Sequence, residues 1–219
     1  MAISPTTLYK RLLDTFGPQR WWPVDTPYHQ KQHSDPRFEI MIGAILTQNT
    51  AWTNVEQALE NLKHHHTFTI AAIAQIKENT LRTMIQPSGF FNQKARRLKH
   101  LALYLEERYE GNLQKLFSQS TSVVRDELLS LSGIGPETAD SILLYAGNHP
   151  VFVVDAYTKR LCRRLPLPVQ SDSYDDIQEF FQTQITSITS EERISVYQEL
   201  HALLVVCAKQ YCWKKKPNC

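Results

Sequence analysis

The sequence predicts a nearly all-helical protein. Most of its 219 residues lie in segments where apolar positions recur about every 3.6 residues, the period of an amphipathic helix, and few segments alternate as strands do. Hydrophobic residues make up 42% of the chain, which is enough for a substantial core. We expect two helical lobes with a cleft between them. Residues 30–149 would form a central bundle, and residues 1–29 and 150–219 would build the second lobe together.

Turn residues divide the apolar pattern into short helices. The first predicted helix spans residues 6–16 and ends at Gly17-Pro18. The stretch from there to Pro36 is rich in Pro, His and Asp and reads as a loop. A helix over residues 38–51 follows. The remaining predicted helices outside the central hairpin span residues 52–62, 70–76, 80–85, 92–109, 113–117, 123–130, 157–165, 174–184 and 191–209.

The stretch from residue 131 to residue 157 organises the chain. It begins with Gly133-Ile134-Gly135 between two predicted helices, and Pro136 follows at a position that the first turn of a helix tolerates. Two glycines around one apolar residue allow a tight turn and the close approach of another backbone. The N–H groups of this turn and of the next helix would point outward together, which predicts a phosphate-binding site made without a lysine. A Gly-x-Gly turn by itself is also a common connection between helices.

The same stretch contains a carboxylate at a distinctive place. Asp155 follows four apolar residues, Val151-Phe152-Val153-Val154, and so stands at the edge of a core. A carboxylate with few charge partners at such a place is a candidate for chemistry. Taken alone, Asp155 is equally well explained as the N-cap of the next helix.

Three further features have both a structural and a functional interpretation. Gln48 and Asn49 belong to an abrupt polar patch after an apolar helix face, where amides either cap the helix or fill a gap in stacked bases. The adjacent Trp21 and Trp22 either fill a seam of the core or form an aromatic wall of a pocket. The basic helix that starts near Lys94 is either a solvated face or a contact to nucleic acid.

Charge and composition narrow the possible partners. The net charge is only +2, so a role on nucleic acid must rest on local basic patches and not on the overall field. No signal segment and no apolar run of membrane-spanning length is evident. We therefore expect a protein without a membrane partner, located in the cytoplasm and associated with the nucleoid if the source is bacterial, or in the nucleus if it is eukaryotic. We also expect a monomer.

Three of the four cysteines crowd the C-terminus: Cys207, Cys212 and Cys219. In a cytoplasmic protein such a cluster indicates a metal or iron–sulfur site more than disulfides. Basic residues lie among these cysteines and would attract phosphate. They are Lys209, Lys214, Lys215 and Lys216.

The hairpin and the aspartate, at this spacing, resemble the helix-hairpin-helix and Gly/Pro-rich loop with Asp that mark the endonuclease III superfamily of DNA glycosylases. The resemblance covers nearly the whole chain. Within the superfamily the sequence looks most like the 3-methyladenine DNA glycosylase branch. The segments behind this closer match are residues 21–23, 44–50, 87–90, 92–95, 133–135 with Glu137, and 153–155.

The resemblance implies a role for each candidate residue. Asp155 would be the catalytic aspartate. The pocket for the damaged base would be formed by Trp52 together with Trp21 or Trp22. Gln48, with Asn49 beside it, would fill the hole left by a flipped base. The residues implied in DNA binding are Leu131, Gly133, Ile134, Gly135 and Thr138 of the hairpin region, and Lys94 of the basic helix.

The sequence departs from the superfamily pattern at two places. Bifunctional members carry a lysine after the hairpin that attacks the sugar, and here Glu137 stands at that position as a second catalytic candidate. A carboxylate cannot form an imine. The superfamily's iron–sulfur loop has the spacing Cys-x6-Cys-x2-Cys-x5-Cys, and Cys212 and Cys219 match only its first interval. We therefore expect a water-using, monofunctional enzyme with an incomplete 4Fe-4S motif and no metal cofactor.

The resemblance thus implies a DNA glycosylase of base excision repair. It would flip out damaged bases from double-stranded DNA and remove them by hydrolysis, with alkylated purines such as 3-methyladenine as the expected substrates. Two alternatives stay open at this point. One is an endonuclease III-like glycosylase and lyase for oxidised pyrimidines. The other is a non-catalytic protein that uses the hairpin only to bind DNA, in which Asp155 is structural.

Overall fold

The structure is a computed structural model that describes residues 2–169, 171–185, 189–215 and 217–219. Within these ranges it contains helices and no β-strand, which confirms the predicted all-helical class. Lys216 of the predicted basic tail lies outside the described residues. The chain divides into two compact units, a central unit, Val24–Gly147, and a terminal unit made of Met1–Pro23 and Asn148–Cys219. None of the described helices has an apolar stretch long enough to cross a membrane.

The helices begin where the sequence supplies caps. Ser4, Asp25 and Asp35 accept backbone hydrogen bonds at the first three helix starts, and each of these helices has a proline in its first turn. In chain order the helices are α1 (Pro5–Phe16), α2 (Thr26–Gln32), α3 (Pro36–Leu46), α4 (Trp52–His64), α5 (Ile70–Gln75), α6 (Glu78–Met84), α7 (Phe91–Tyr109), α8 (Leu113–Phe117), α9 (Thr121–Ser130), α10 (Pro136–Ser141), α11 (Ala156–Arg164), α12 (Tyr174–Gln184) and α13 (Ser190–Gln210). A 3₁₀ turn, Gln86–Ser88, precedes α7, and α10 continues into a π-helical turn, Ile142–Ala146.

In the central unit, one helix is missing from the prediction and one predicted helix end is wrong. Helix α2 lies inside the stretch predicted as a loop, because Asp25 caps a helix start there and accepts from the Tyr28 N–H. Helix α3 ends at Leu46 and does not continue to residue 51. The Leu46 carbonyl accepts a hydrogen bond from the Lys94 ammonium (2.7 Å), and Asn49 adopts a left-handed conformation with φ of 54°. Both features end the helical hydrogen-bond pattern at this point.

A buried ionic network joins α2, α3 and α4. Glu39, which is only 2% exposed, contacts His29 Nε2 through Oε2 (2.6 Å) and Lys63 Nζ through Oε1 (3.0 Å). His29 Nδ1 lies 2.7 Å from Ser34 Oγ, so both ring nitrogens have partners. Burial by itself would raise the pKa of Glu39, but hydrogen bonds from His29 and Lys63 outweigh it and hold that pKa below its ordinary value. The network therefore stabilises the central unit only while Glu39 is ionised.

We predict that Glu39→Gln lowers the free energy of unfolding by about 2 kcal/mol at neutral pH, because it removes the charge from two charge-assisted hydrogen bonds. A carboxylate with a depressed pKa in the folded state adds stability above its unfolded pKa, and that stability is lost as the pH falls through the folded value. Urea unfolding between pH 3 and pH 7 should therefore show a shallower acid loss in the variant. The control is Glu110→Gln, which removes an exposed pair with Lys115 (2.8 Å) and should change little.

The terminal unit holds the segment before Asp155 without a β-ladder. The ring of Phe152 stacks on Phe181 with centroids 4.3 Å apart, and Tyr197 meets it edge-on at 5.6 Å. Gln182 accepts from the Phe152 N–H (3.0 Å), and Gln178 donates to the Phe152 carbonyl (2.6 Å). These contacts satisfy an extended, buried backbone and fix the point at which α11 begins.

Candidate active site and nucleic-acid interface

The predicted hairpin is present between α9 and α10. Gly133 adopts φ of 84°, a left-handed conformation that favours glycine. The Ile134 N–H closes the turn by donating to the Leu131 carbonyl (3.1 Å), and the buried Ile134 side chain anchors the turn to the core. Helix α10 then begins as the Gly135 carbonyl accepts from Ala139 (2.9 Å).

The outer surface of the hairpin suits contact with an anion. Within the described residues, the N–H groups of Gly133 and Gly135 have no intramolecular acceptor. A Cβ added to Gly135 would meet nothing within 4 Å, so this glycine leaves open space above the turn. Both glycines are exposed, and N–H groups without an acceptor on an exposed turn at the start of a helix can bind phosphate.

A buried ion pair fixes the two hairpin helices against each other. Asp140 on α10 is fully buried and accepts two hydrogen bonds from Arg125 on α9, at 2.7 Å and 3.2 Å. This bidentate geometry restrains both distance and angle. The turn therefore sits on a rigid support.

The side-chain amide of Gln48 links the hairpin to α7. Its Nε2 donates to the Gly133 carbonyl (3.0 Å) and to Thr138 Oγ1 (2.8 Å). Its Oε1 accepts from the Arg97 guanidinium. Arg97 also covers the face of Gly133, where an added Cβ would lie 2.0 Å from Arg97 Nε. The structure thus brings together three of the predicted residues, Gln48, Gly133 and Thr138, and adds Arg97, which the sequence placed only in a basic run.

The structure corrects the prediction that Lys94 contacts DNA. Its side chain is 1% exposed, and its Nζ donates to the carbonyls of Leu46 and Ser88, both at 2.7 Å. Burial, with the charge of Arg97 as a second cause, lowers the pKa of Lys94 to about 8. Lys94 instead ties the end of α3, just before Gln48, to the 3₁₀ turn that leads to α7.

Two exposed residues lie in the loops that Lys94 joins. Asn49 is exposed, and Phe90 is 63% exposed at the start of α7, with φ of 48°. The sequence pattern does not predict that the phenyl ring of Phe90 is exposed, although its segment contributes to the family resemblance.

Asp155 forms the N-cap of α11 in the terminal unit. It is 8% exposed, and its Oδ1 accepts from the Thr158 N–H (2.7 Å) and from Thr158 Oγ1 (2.9 Å). Its Oδ2 faces His201 Nε2 on α13 at 3.6 Å. Burial by itself would raise the pKa of Asp155, but His201 and the Thr158 donors outweigh it and hold that pKa below its ordinary value. Asp155 is therefore both the cap and an ionised, buried carboxylate. Nothing in the sequence distinguished Thr158 or His201.

The other predicted site residues lie as follows. Glu137 is exposed in the first turn of α10. Trp21 and Trp22 are half-buried in the terminal unit, with ring centroids 5.1 Å apart. Trp52 is half-buried at the start of α4, and its Nε1 donates to Glu56 (2.9 Å). The catalytic role of Glu137 and the tryptophan base pocket stay predictions.

The arrangement of the cysteines differs from the one that the sequence predicts, in which a metal or iron–sulfur site is favoured over disulfides. Cys212 and Cys219 are joined by a disulfide, while Cys162 and Cys207 are free thiols whose pKa values burial raises. The backbone that follows Cys212 wraps around Arg164, which donates to the Trp213 carbonyl at 2.7 Å. In the described part of the chain, no group of three or more His, Cys, Asp or Glu side chains could hold a metal ion.

Comparison with known proteins places these features in a family. Residues 42–186 match the family described as HhH-GPD superfamily base excision DNA repair protein. A proposed DNA repair glycosylase of Methanocaldococcus jannaschii is 43% identical over 210 residues, which are 95% of this chain and 88% of that protein. Endonuclease III of Sulfolobus acidocaldarius is 30% identical over 83% of this chain and 77% of its own length. The crystal structure of Helicobacter pylori 3-methyladenine DNA glycosylase bound to 1,N6-ethenoadenine is similar with a TM-score of 0.77 and 30% identity, over 95% of this chain and 98% of that one.

Proposed function

Because this chain belongs to the HhH-GPD superfamily of base excision DNA repair proteins, we propose that it is a monofunctional DNA glycosylase that removes alkylated purines such as 3-methyladenine by hydrolysis. Its substrate is double-stranded DNA that contains the damaged base. The enzyme flips the damaged nucleotide out of the helix and breaks its glycosidic bond.

The observation that carries this proposal is the carboxylate of Asp155, which is buried and held ionised at the start of α11. As the bond to the base breaks, the sugar gains oxocarbenium character and needs a negative charge nearby. Thr158 occupies Oδ1, so Oδ2 is the oxygen with capacity left to face the sugar or to orient a water molecule. An alkylated purine already carries positive charge and leaves easily, so the reaction needs little acid catalysis.

The choice of alkylated purines is supported by the similarity to the Helicobacter pylori enzyme and by the tryptophans. A cationic base is attracted to the face of an indole ring, by about 1–2 kcal/mol when both are desolvated. Trp21, Trp22 and Trp52 are only half-buried, which suits rings that stack on a ligand. We propose that these rings select cationic bases over neutral ones.

A second candidate is an endonuclease III-like activity on oxidised pyrimidines, which the similarity to the Sulfolobus enzyme favours. A lyase of that kind needs an amine near the hairpin helix. The segment Pro136–Ser141 with its extension Ile142–Ala146 contains no lysine, and Lys94 is buried between two carbonyls.

A substrate panel separates these candidates. The purified protein is incubated with duplexes that contain 3-methyladenine, 1,N6-ethenoadenine, an oxidised pyrimidine or a mismatch, and the free base is measured by chromatography. We expect release from the alkylated duplexes and intact abasic strands afterwards. Release from the oxidised pyrimidine alone, with strand cleavage, would support the second candidate instead.

We also predict that borohydride added during turnover traps no covalent protein–DNA complex. The reason is that Glu137 stands where a Schiff-base lysine would be required and cannot form an imine. An endonuclease III run in parallel provides the positive control on a denaturing gel. A trapped band with this protein that disappears in Lys94→Met would contradict the prediction and would identify Lys94 as the amine.

A further inference from the structure

We propose that His201 is a positioning residue for the reaction. As a neutral imidazole, it orients Asp155 Oδ2 and keeps this oxygen negatively charged, and on protonation it switches the site off. The inference rests on the proposed function, in which Asp155 stabilises the sugar cation, and it adds a regulation of that site by pH.

The geometry gives the two carboxylate oxygens different surroundings. Oδ1 receives both Thr158 donors and is saturated by them. Oδ2 is the oxygen left for the reaction, and the polar side chain placed against it is His201, with its Nε2 at 3.6 Å. This distance is longer than a hydrogen bond, and a small side-chain movement would close it.

His201 comes from a different part of the fold than Asp155. It lies on α13, which packs against α11, and it is 8% exposed, as Asp155 is. A buried imidazole on a long packed helix has little freedom to turn away. The position of Oδ2 is therefore set by α13 as well as by the cap of α11.

Glu199, Arg160 and Lys159, which lie on these two helices, have partners of their own. Glu199, also on α13, accepts from the backbone N–H groups of Gln19 and Arg20. Burial raises the pKa of Tyr9 on α1, and the negative charge of Glu199 raises it further. Arg160 on α11 lies over the Tyr157 ring at 4.9 Å. Lys159 donates to the Asp172 carbonyl. His201 is thus the titratable group that the structure sets against Asp155.

The charge of His201 decides what Asp155 can do. A neutral imidazole that donates from Nε2 holds the carboxylate in place and leaves its charge available to the sugar. An imidazolium at the same place would neutralise Asp155 and would repel the developing oxocarbenium ion. Because an imidazole gains its positive charge as the pH falls, base release should decrease toward acid pH.

The first test is the pH dependence of the single-turnover rate of base release for wild type, His201→Gln and His201→Leu. Glutamine keeps a donor near the Nε2 position but does not titrate, whereas leucine keeps the volume and removes the donor. At pH values above the acid fall of the wild type, we expect His201→Leu to be slower by roughly ten- to a hundredfold, the effect of a lost hydrogen bond to a charged group, with unchanged DNA affinity. At acid pH this difference should shrink, because the variant has no imidazole to protonate. His201→Gln should lose less rate and should lack the acid fall.

His149→Leu is the matched control, because His149 is an equally buried histidine of the same unit, 8% exposed. Equal losses in His201→Leu and His149→Leu, or an acid fall in His201→Gln at the same pH as in the wild type, would overturn the proposal.

A second test does not depend on activity. The carboxyl carbon of Asp155 is followed by NMR during a pH titration and is identified by its disappearance in Asp155→Asn. Removing the donor in His201→Leu should raise the pKa of Asp155, and an unchanged titration would refute the contact. If wild type releases no base from any duplex, the proposed function fails, and the titration still decides whether His201 controls the carboxylate.

Discussion

Asp155→Asn should reduce base release by about a thousandfold or more and leave DNA affinity nearly unchanged. A preorganised charge that acts on the transition state is worth several kcal/mol, and the substitution removes that charge alone. The asparagine carbonyl can still accept both Thr158 hydrogen bonds, so the N-cap of α11 survives. The measurements are single-turnover base release from a 3-methyladenine duplex and DNA binding by fluorescence anisotropy.

Asp155→Ala is the companion variant. It removes the cap as well as the charge, so it should be about 1 kcal/mol less stable than Asp155→Asn and equally inactive. This pair separates the structural role of Asp155 from the chemical one. If Asp155→Asn kept more than roughly a tenth of the wild-type rate, Asp155 would not be the group that stabilises the sugar.

Gly133→Ala should weaken DNA binding at least a hundredfold. Its φ of 84° strains any residue with a Cβ, and that Cβ would lie 2.0 Å from Arg97 Nε. Arg97 would have to move and would lose its hydrogen bond to Gln48. The substitution therefore disturbs the turn, Arg97 and the Gln48 amide together, at a cost of about 3 kcal/mol in binding. Anisotropy with an abasic duplex measures the affinity, and urea unfolding measures the accompanying loss of stability.

Gly135→Ala supplies the matched control within the same turn. Its backbone has φ of −98°, and an added Cβ would meet nothing within 4 Å, so the substitution brings no strain. Stability should fall by no more than about 1 kcal/mol, because alanine is a poorer N-cap than glycine. If phosphate approaches the Gly135 N–H closely, the added methyl should still weaken DNA binding, by roughly tenfold. Unchanged affinity in Gly135→Ala would show that the DNA backbone does not approach this part of the hairpin.

Local sequence patterns were sufficient for the fold class and for two parts of the candidate site. Apolar periodicity predicted the helices, and Gly133-Ile134-Gly135-Pro136 predicted the turn, because a left-handed residue and a proline at a helix start are requirements of the chain itself. Asp155 could also be located from a local pattern, because the apolar run and the capping residue that follows it are adjacent in the sequence. The absence of a lysine from the helix that follows the hairpin is also evident from the sequence alone.

Contacts between distant residues were decided only by the tertiary structure. Periodicity places Lys94 and Arg97 on one basic helix, but it does not say that Lys94 turns inward to two carbonyls while Arg97 reaches Gln48 and covers Gly133. His201 stands in an apolar helix with nothing in its neighbourhood to link it to Asp155. The packing of α13 on α11 brings His201 Nε2 to 3.6 Å from Asp155 Oδ2. That packing depends on the summed burial of many apolar residues. The sequence by itself therefore determined which backbone turn and which carboxylate are available. The tertiary structure decided which side chains hold them, because those partners meet only when helices far apart in the chain pack together.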